Sequence, residues 1–111
     1  MPTPEGRIKN KIKLLLDSYG DRVYTYMPVP AGYGKRTLDY LGCINGEFFA
    51  IEAKRPGGKP TSLQSGTIED ICNAGGAAFV VHNDDTLADL KSWLDAMASG
   101  EINITIRKRK E

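Results

Sequence analysis

The 111-residue sequence is poor in the groups that tie small proteins together covalently or through zinc. It has two cysteines, Cys43 and Cys72, and one histidine, His82, with no C-x-x-C spacing, so neither a disulfide framework nor a zinc site is indicated. Both cysteines are expected to be small buried hydrophobes. No apolar run is long enough to span a bilayer or act as a signal peptide, which argues for a cytoplasmic protein without a membrane partner. Internal repeats and low-complexity linkers are missing too. The length suits one domain, taken as residues 1–106, with a charged tail at 107–111.

Net charge is also scarce, since 15 basic and 14 acidic residues leave +1. The distribution, however, is uneven. Basic residues gather near the start (Arg7, Lys9, Lys11, Lys13), in the middle (Lys35, Arg36, Lys54, Arg55, Lys59) and at the end (Arg107 to Lys110), while acidic ones gather between 69 and 95. Such clustering is compatible with a basic surface facing a polyanion, and equally with solvated faces.

Local signals set out the elements in order. Thr3 can cap a helix with Pro4 at its first position, and Ile8, Ile12, Leu15 and Leu16 follow at helical spacing over roughly 4–18. Val23 to Val29 is rich in β-formers, and the Pro28 to Gly34 loop ends it. Two strand-like runs, 36–44 and 47–54, flank Asn45-Gly46, the pair best suited to a two-residue type I′ turn. After a Pro/Gly loop, Thr61 or Ser62 caps a helix carrying Leu63, Ile68 and Ile71. Ala77 to Val81 has the size of a buried strand, and a last helix from Asp84 or Asp85 carries Leu87, Leu90, Trp93, Leu94 and Met97 to a stop at Gly100. Alternating Ile102, Ile104 and Ile106 predict a final edge strand. The whole is a mixed α/β sheet flanked by helices.

The hairpin brings chemistry together. A two-residue turn at Asn45-Gly46 sets Ile44 opposite Glu47, and by the same register Asp39 opposite Glu52. Directly opposed side chains have Cβ atoms roughly 4.5–5.5 Å apart, and like charges there are destabilising. The period of two puts Leu41, Cys43, Phe48 and Ala50 on the face of the two acids, and Leu38, Tyr40, Ile44, Phe49 and Ile51 on the other. Both faces are apolar, so the hairpin is expected to be central and largely covered. Two acids there require a shared proton, a cation or an open sheet end. Lys54 points to the same face, and a carboxylate pair with an ammonium alongside suits Mg²⁺ and phosphoryl transfer. An ion cluster at a sheet edge explains the same three residues without chemistry.

Asp39, twelve residues, then Glu52-Ala53-Lys54 resembles the PD-(D/E)xK nuclease superfamily. Gly34 before the hairpin, the Pro/Gly loop after it and Gln64 on the next helix are similar to its VRR-NUC branch, over a span from Glu5 to about Trp93. The resemblance implies a restriction-endonuclease-like core of order αβββαβα. It implies that Asp39 and Glu52 ligate Mg²⁺ or Mn²⁺ with the Ala53 carbonyl, that Lys54 is the catalytic lysine, and that Glu5 and Gln64 are active-site residues. It further implies a homodimeric endonuclease acting on branched DNA such as Holliday junctions. Leu38 stands where the family pattern has proline, which leaves metal binding untouched. Tyr33, Lys35, Arg36, Arg55 and Lys59 flank the site as candidate DNA contacts, whereas His82 reads as a strand-end residue. A non-catalytic DNA-binding or assembly module and a nuclease for linear DNA are the competing readings.

Overall fold

The computed structural model describes residues 3–29 and 37–100. Tyr33, Lys35, Arg36, the strand expected around Ile102 to Ile106 and the charged tail lie outside the described residues.

Helix α1 (Pro4–Asp17) starts as its sequence dictates: the Thr3 hydroxyl accepts from Gly6 N at 2.9 Å, and Pro4 needs no partner for an N–H it lacks. Ile8, Ile12 and Leu16 form its buried stripe. A 3-10 turn, Gly20–Arg22, leads into strand β1 (Val23–Tyr26), which takes up the first half of the β-rich stretch. Strands β2 (Tyr40–Ile44) and β3 (Glu47–Ala53) form the expected hairpin. Asn45 at φ 50° and Gly46 at φ 85° supply the two positive dihedrals of the turn, and Ile44 pairs with Glu47. The Asn45 amide adds a tertiary tie, donating to the Met97 and Gly100 carbonyls at 2.9 Å each.

Helix α2 (Ser62–Asn73) follows, then strand β4 (Ala77–Val81) and helix α3 (Asp84–Ser99). Both α2 and α3 open on a reciprocal capping box, Thr61 with Gln64 and Asn83 with Thr86. Among the described residues the sheet has four strands in the order β1-β2-β3-β4, antiparallel except for the parallel β3–β4 pair. The described residues thus form a mixed α/β fold with three α-helices. No helix of the described residues is long and apolar enough to cross a membrane.

One core lies on one face of the sheet. Ile8, Ile12 and Leu16 of α1 and Leu90 and Leu94 of α3 pack there against Tyr40, Ile44, Phe49 and Ile51. Trp93 meets the rings of Phe49 and Phe79 with centroids 5.9 and 5.3 Å away. Space is tight at Gly42, where a Cβ would press on the Phe49 ring and lie 2.8 Å from the Tyr24 carbonyl oxygen.

The other face corrects the expectation of a hairpin covered on both sides. Helix α2 packs chiefly on β4 and buries none of its residues fully. Phe48 therefore stays 44% exposed, and Tyr24 and Tyr26 of edge strand β1 are more open still. The cysteines correct the expectation too: Cys43 on this uncovered face and Cys72 on the outside of α2 are both exposed thiols.

Candidate active site

Strand β2 starts at Tyr40, four residues later than the sequence suggests, and the reason lies in Asp39 and Glu52. The regular ladder ends with Tyr40 opposite Ile51. One position further on, the two acids replace backbone pairing with side-chain acceptors. Asp39 N donates to Glu52 Oε1 at 3.3 Å, and Ala53 N donates to Asp39 Oδ2 at 2.9 Å. Each carboxylate is thereby fixed by the backbone beside the other.

Glu52 is 4% exposed and is the only charged residue in the buried class among the described residues. Its second oxygen, Oε2, accepts from Gln64 Nε2 at 2.8 Å and lies 3.5 Å from Lys54 Nζ. Burial first, and then the negative charge of Asp39, hold the Glu52 carboxyl above its ordinary range; Lys54 and the Asp39 N–H pull the other way without cancelling this. Lys54 is itself largely enclosed, with its backbone N–H donating to the Val81 carbonyl at 2.9 Å, so β4 sets its position.

Gln64 reaches the site because of the helix cap. Its Oε1 accepts from Thr61 N at 2.9 Å, which orients the amide so that Nε2 faces Glu52. Four of the residues picked out in the sequence, Asp39, Glu52, Lys54 and Gln64, therefore meet at one end of the sheet, with Ala53 joined through its N–H.

Glu5 relates to this group differently. It lies 3.6 Å from Lys9 Nζ, one helical turn on, and the same ammonium lies 4.0 Å from Asp39 Oδ1. Lys9 was not singled out by sequence reasoning; its i, i+4 spacing from Glu5 was the available signal. Arg55 and Lys59 are exposed on the loop after β3. His82 follows β4, and its Nδ1 accepts from Gly57 N at 3.3 Å, tying that loop down.

The donor set suits a hard cation. Among the described residues no group of three or more His, Cys, Asp and Glu side chains is arranged to hold a metal. The side-chain donors at this end of the sheet are two carboxylates, one of them buried. Mg²⁺ takes one or two carboxylates and keeps several waters, whereas zinc and calcium sites call for more protein ligands. Burial of Glu52 beside a like charge gives the pair a reason to attract a cation. No model of a known protein family matches the chain, and no curated protein matches it in sequence.

Proposed function

We propose that the chain is a metal-dependent DNA endonuclease with a restriction-endonuclease-like core, akin to the VRR-NUC branch of the PD-(D/E)xK nucleases. The observation that carries this reading is the convergence of Asp39, Lys54 and Gln64 on the buried Glu52 carboxylate at the end of a hairpin. Mg²⁺, or Mn²⁺ in its place, would be held by Asp39 and Glu52 with the Ala53 carbonyl, where it would supply polarisation of the phosphate and a more acidic bound water.

The chain's own residues have distinct tasks in this scheme. Lys54, enclosed and 3.5 Å from Glu52, presents a fixed positive charge that offsets the charge growing on the scissile phosphate and orients the attacking water. Gln64 holds Glu52 through the N–H that faces it and leaves that carboxylate little rotational freedom. Arg55 and Lys59, exposed on the following loop, suit phosphate contacts that position the nucleic acid without reading its sequence. Branched DNA as substrate, and a homodimer that makes paired incisions, belong to the same proposal.

A non-catalytic reading has one observation in its favour. No buried side-chain nitrogen or oxygen among the described residues lacks a hydrogen-bond partner, so the buried atoms of the cluster are satisfied without a cation. Labelled duplex, flap and four-way junction DNA, incubated with Mg²⁺, Mn²⁺ or EDTA, separates the two. Metal-dependent symmetric nicks that vanish in Asp39→Ala and Glu52→Ala support the nuclease, while retention without cleavage, indifferent to metal, supports the binder.

A further inference from the structure

Three of the four carboxylate oxygens of Asp39 and Glu52 accept an N–H: Asp39 Oδ2 from Ala53, Glu52 Oε1 from Asp39 and Glu52 Oε2 from Gln64. The fourth, Asp39 Oδ1, has instead an ion pair with Lys9 at 4.0 Å. This is the loosest contact of the four, and so the oxygen most easily given up to a cation.

The Lys9 backbone is held firmly while its ammonium is not. Ile8 and Ile12 bury α1 on either side, and the Tyr40 hydroxyl, itself in the core, donates to the Lys9 carbonyl at 3.4 Å. Tyr40 is the chain neighbour of Asp39, so the turn of α1 that bears Lys9 is anchored to the segment that bears the acid. The Lys9 side chain is one-third exposed, and its ammonium is shared between Asp39 and Glu5, 3.6 Å away.

We propose that Lys9 is a positioning residue of this site: it competes with a divalent cation for Asp39 Oδ1, and Glu5 sets the cation affinity through Lys9 by drawing the ammonium away. This rests on the reading of Asp39 and Glu52 as cation ligands. Two positive charges repel at the same oxygen, so removing Lys9 favours the cation. Removing Glu5 leaves Lys9 to bear on Asp39 alone, which disfavours it.

Calorimetric titration of Mg²⁺ into the wild type, Lys9→Gln, Glu5→Gln, the double variant and Lys9→Arg tests this directly, with no DNA present. Lys9→Gln should bind Mg²⁺ about two- to fivefold more tightly, the range that exposed ion pairs support, and Glu5→Gln more weakly by a similar factor. Added to Lys9→Gln, the Glu5 substitution should change nothing, and Lys9→Arg should bind as the wild type does. The Lys9→Gln gain should fade in high salt. Unchanged or weaker binding by Lys9→Gln overturns the inference, as does a Glu5→Gln effect that survives in the double variant, because Glu5 would then act on the cation itself. A wild type that binds no Mg²⁺ removes the metal-centre reading and this inference with it. Binding by the wild type with no response to either variant removes this inference alone. A lysine that merely supported the fold would lower the urea midpoint and weaken the cation site, the opposite sign to that expected.

Discussion

Gln64 makes two hydrogen bonds that one substitution can separate. Its Oε1 closes the capping box on Thr61 N, and its Nε2 donates to Glu52 Oε2 at 2.8 Å. Gln64→Glu preserves the first, since Glu and Gln serve alike at this cap position. It replaces the second by a carboxylate oxygen facing a buried carboxylate. Loss of a hydrogen bond to a charged acceptor costs about 1.5–3 kcal/mol. A like charge relaxed to roughly 4 Å adds repulsion of about 4 kcal/mol at an effective dielectric constant near 20. The two effects overlap, and Gln64 is only half buried, so rotation toward solvent relieves part of the repulsion. A net loss of about 2–4 kcal/mol is expected, against a total stability of about 5–15 kcal/mol for a domain.

Urea unfolding followed through Trp93, which packs on Phe49 and Phe79, measures that loss. In EDTA the order should be wild type, then Gln64→Ala, then Gln64→Glu as the least stable. Gln64→Ala loses cap and donor but gains no charge. Millimolar Mg²⁺ should then stabilise Gln64→Glu more than it stabilises the wild type, because a third carboxylate strengthens the field that attracts the cation. Equal stability of Gln64→Glu and wild type in EDTA would refute the contact between residues 64 and 52. A Gln64→Glu protein that is destabilised yet deaf to Mg²⁺ would refute the cation site.

The pH dependence of Glu52 has a definite sign. Because its carboxyl is held above the ordinary glutamate range, the folded state binds that proton more tightly than the unfolded chain; the group therefore costs stability at neutral pH, and the cost fades as pH falls through the raised value towards the ordinary one. Glu52→Gln should accordingly be more stable than wild type at neutral pH in EDTA, with the advantage shrinking on mild acidification; an advantage that grows would contradict the burial assignment. Lys54→Ala should abolish cleavage while Mg²⁺ binding stays measurable by calorimetry, and retained turnover would remove the lysine from the mechanism. Gly42→Ala should cost about 1–3 kcal/mol in urea unfolding, because its Cβ is driven against the Phe49 ring and the Tyr24 carbonyl.

Much of this architecture was legible because local rules decide it. The caps at Thr3 and Thr61, the Asn45-Gly46 turn and the apolar stripes of α1 and α3 are properties of neighbouring residues, and the element order through α3 follows from them; the cap of α3 falls on Asn83, just before the Asp84 or Asp85 start that the sequence suggests. The hairpin register was legible for the same reason and correctly aligned Ile44 with Glu47. Burial of the second face was not. An apolar pattern shows that a strand could be covered, whereas coverage depends on where α2 comes to rest, and it rests over β4, leaving Cys43 and Phe48 in water. Lys9 reads in the sequence only as one of a basic cluster because its partner Asp39, just ahead of β2, lies far along the chain. The Asn45 bonds to the end of α3 were hidden likewise, since a turn residue's side chain is free to serve a second purpose that its backbone role conceals.

The two acids end the ladder that brings them together, and this bears on how the site works. Continued pairing past Tyr40 and Ile51 would leave two bare carboxylates opposed, which an antiparallel pair disfavours. Instead each carboxylate takes a backbone N–H from the other segment. Repulsion between the acids is thus offset by bonds that also fix their position, so a cation binding between them orders little that is not ordered already. The same arrangement sets stability against function. An amide at 39 or 52 would relieve the repulsion and keep an acceptor for the backbone N–H while removing half of the oxygen pair, so fold-stabilising replacements here should be those that weaken the proposed cation site. The acid pair is therefore hard to explain as a device for folding alone, since an amide at position 52 would keep the bond to Asp39 N at a smaller electrostatic cost.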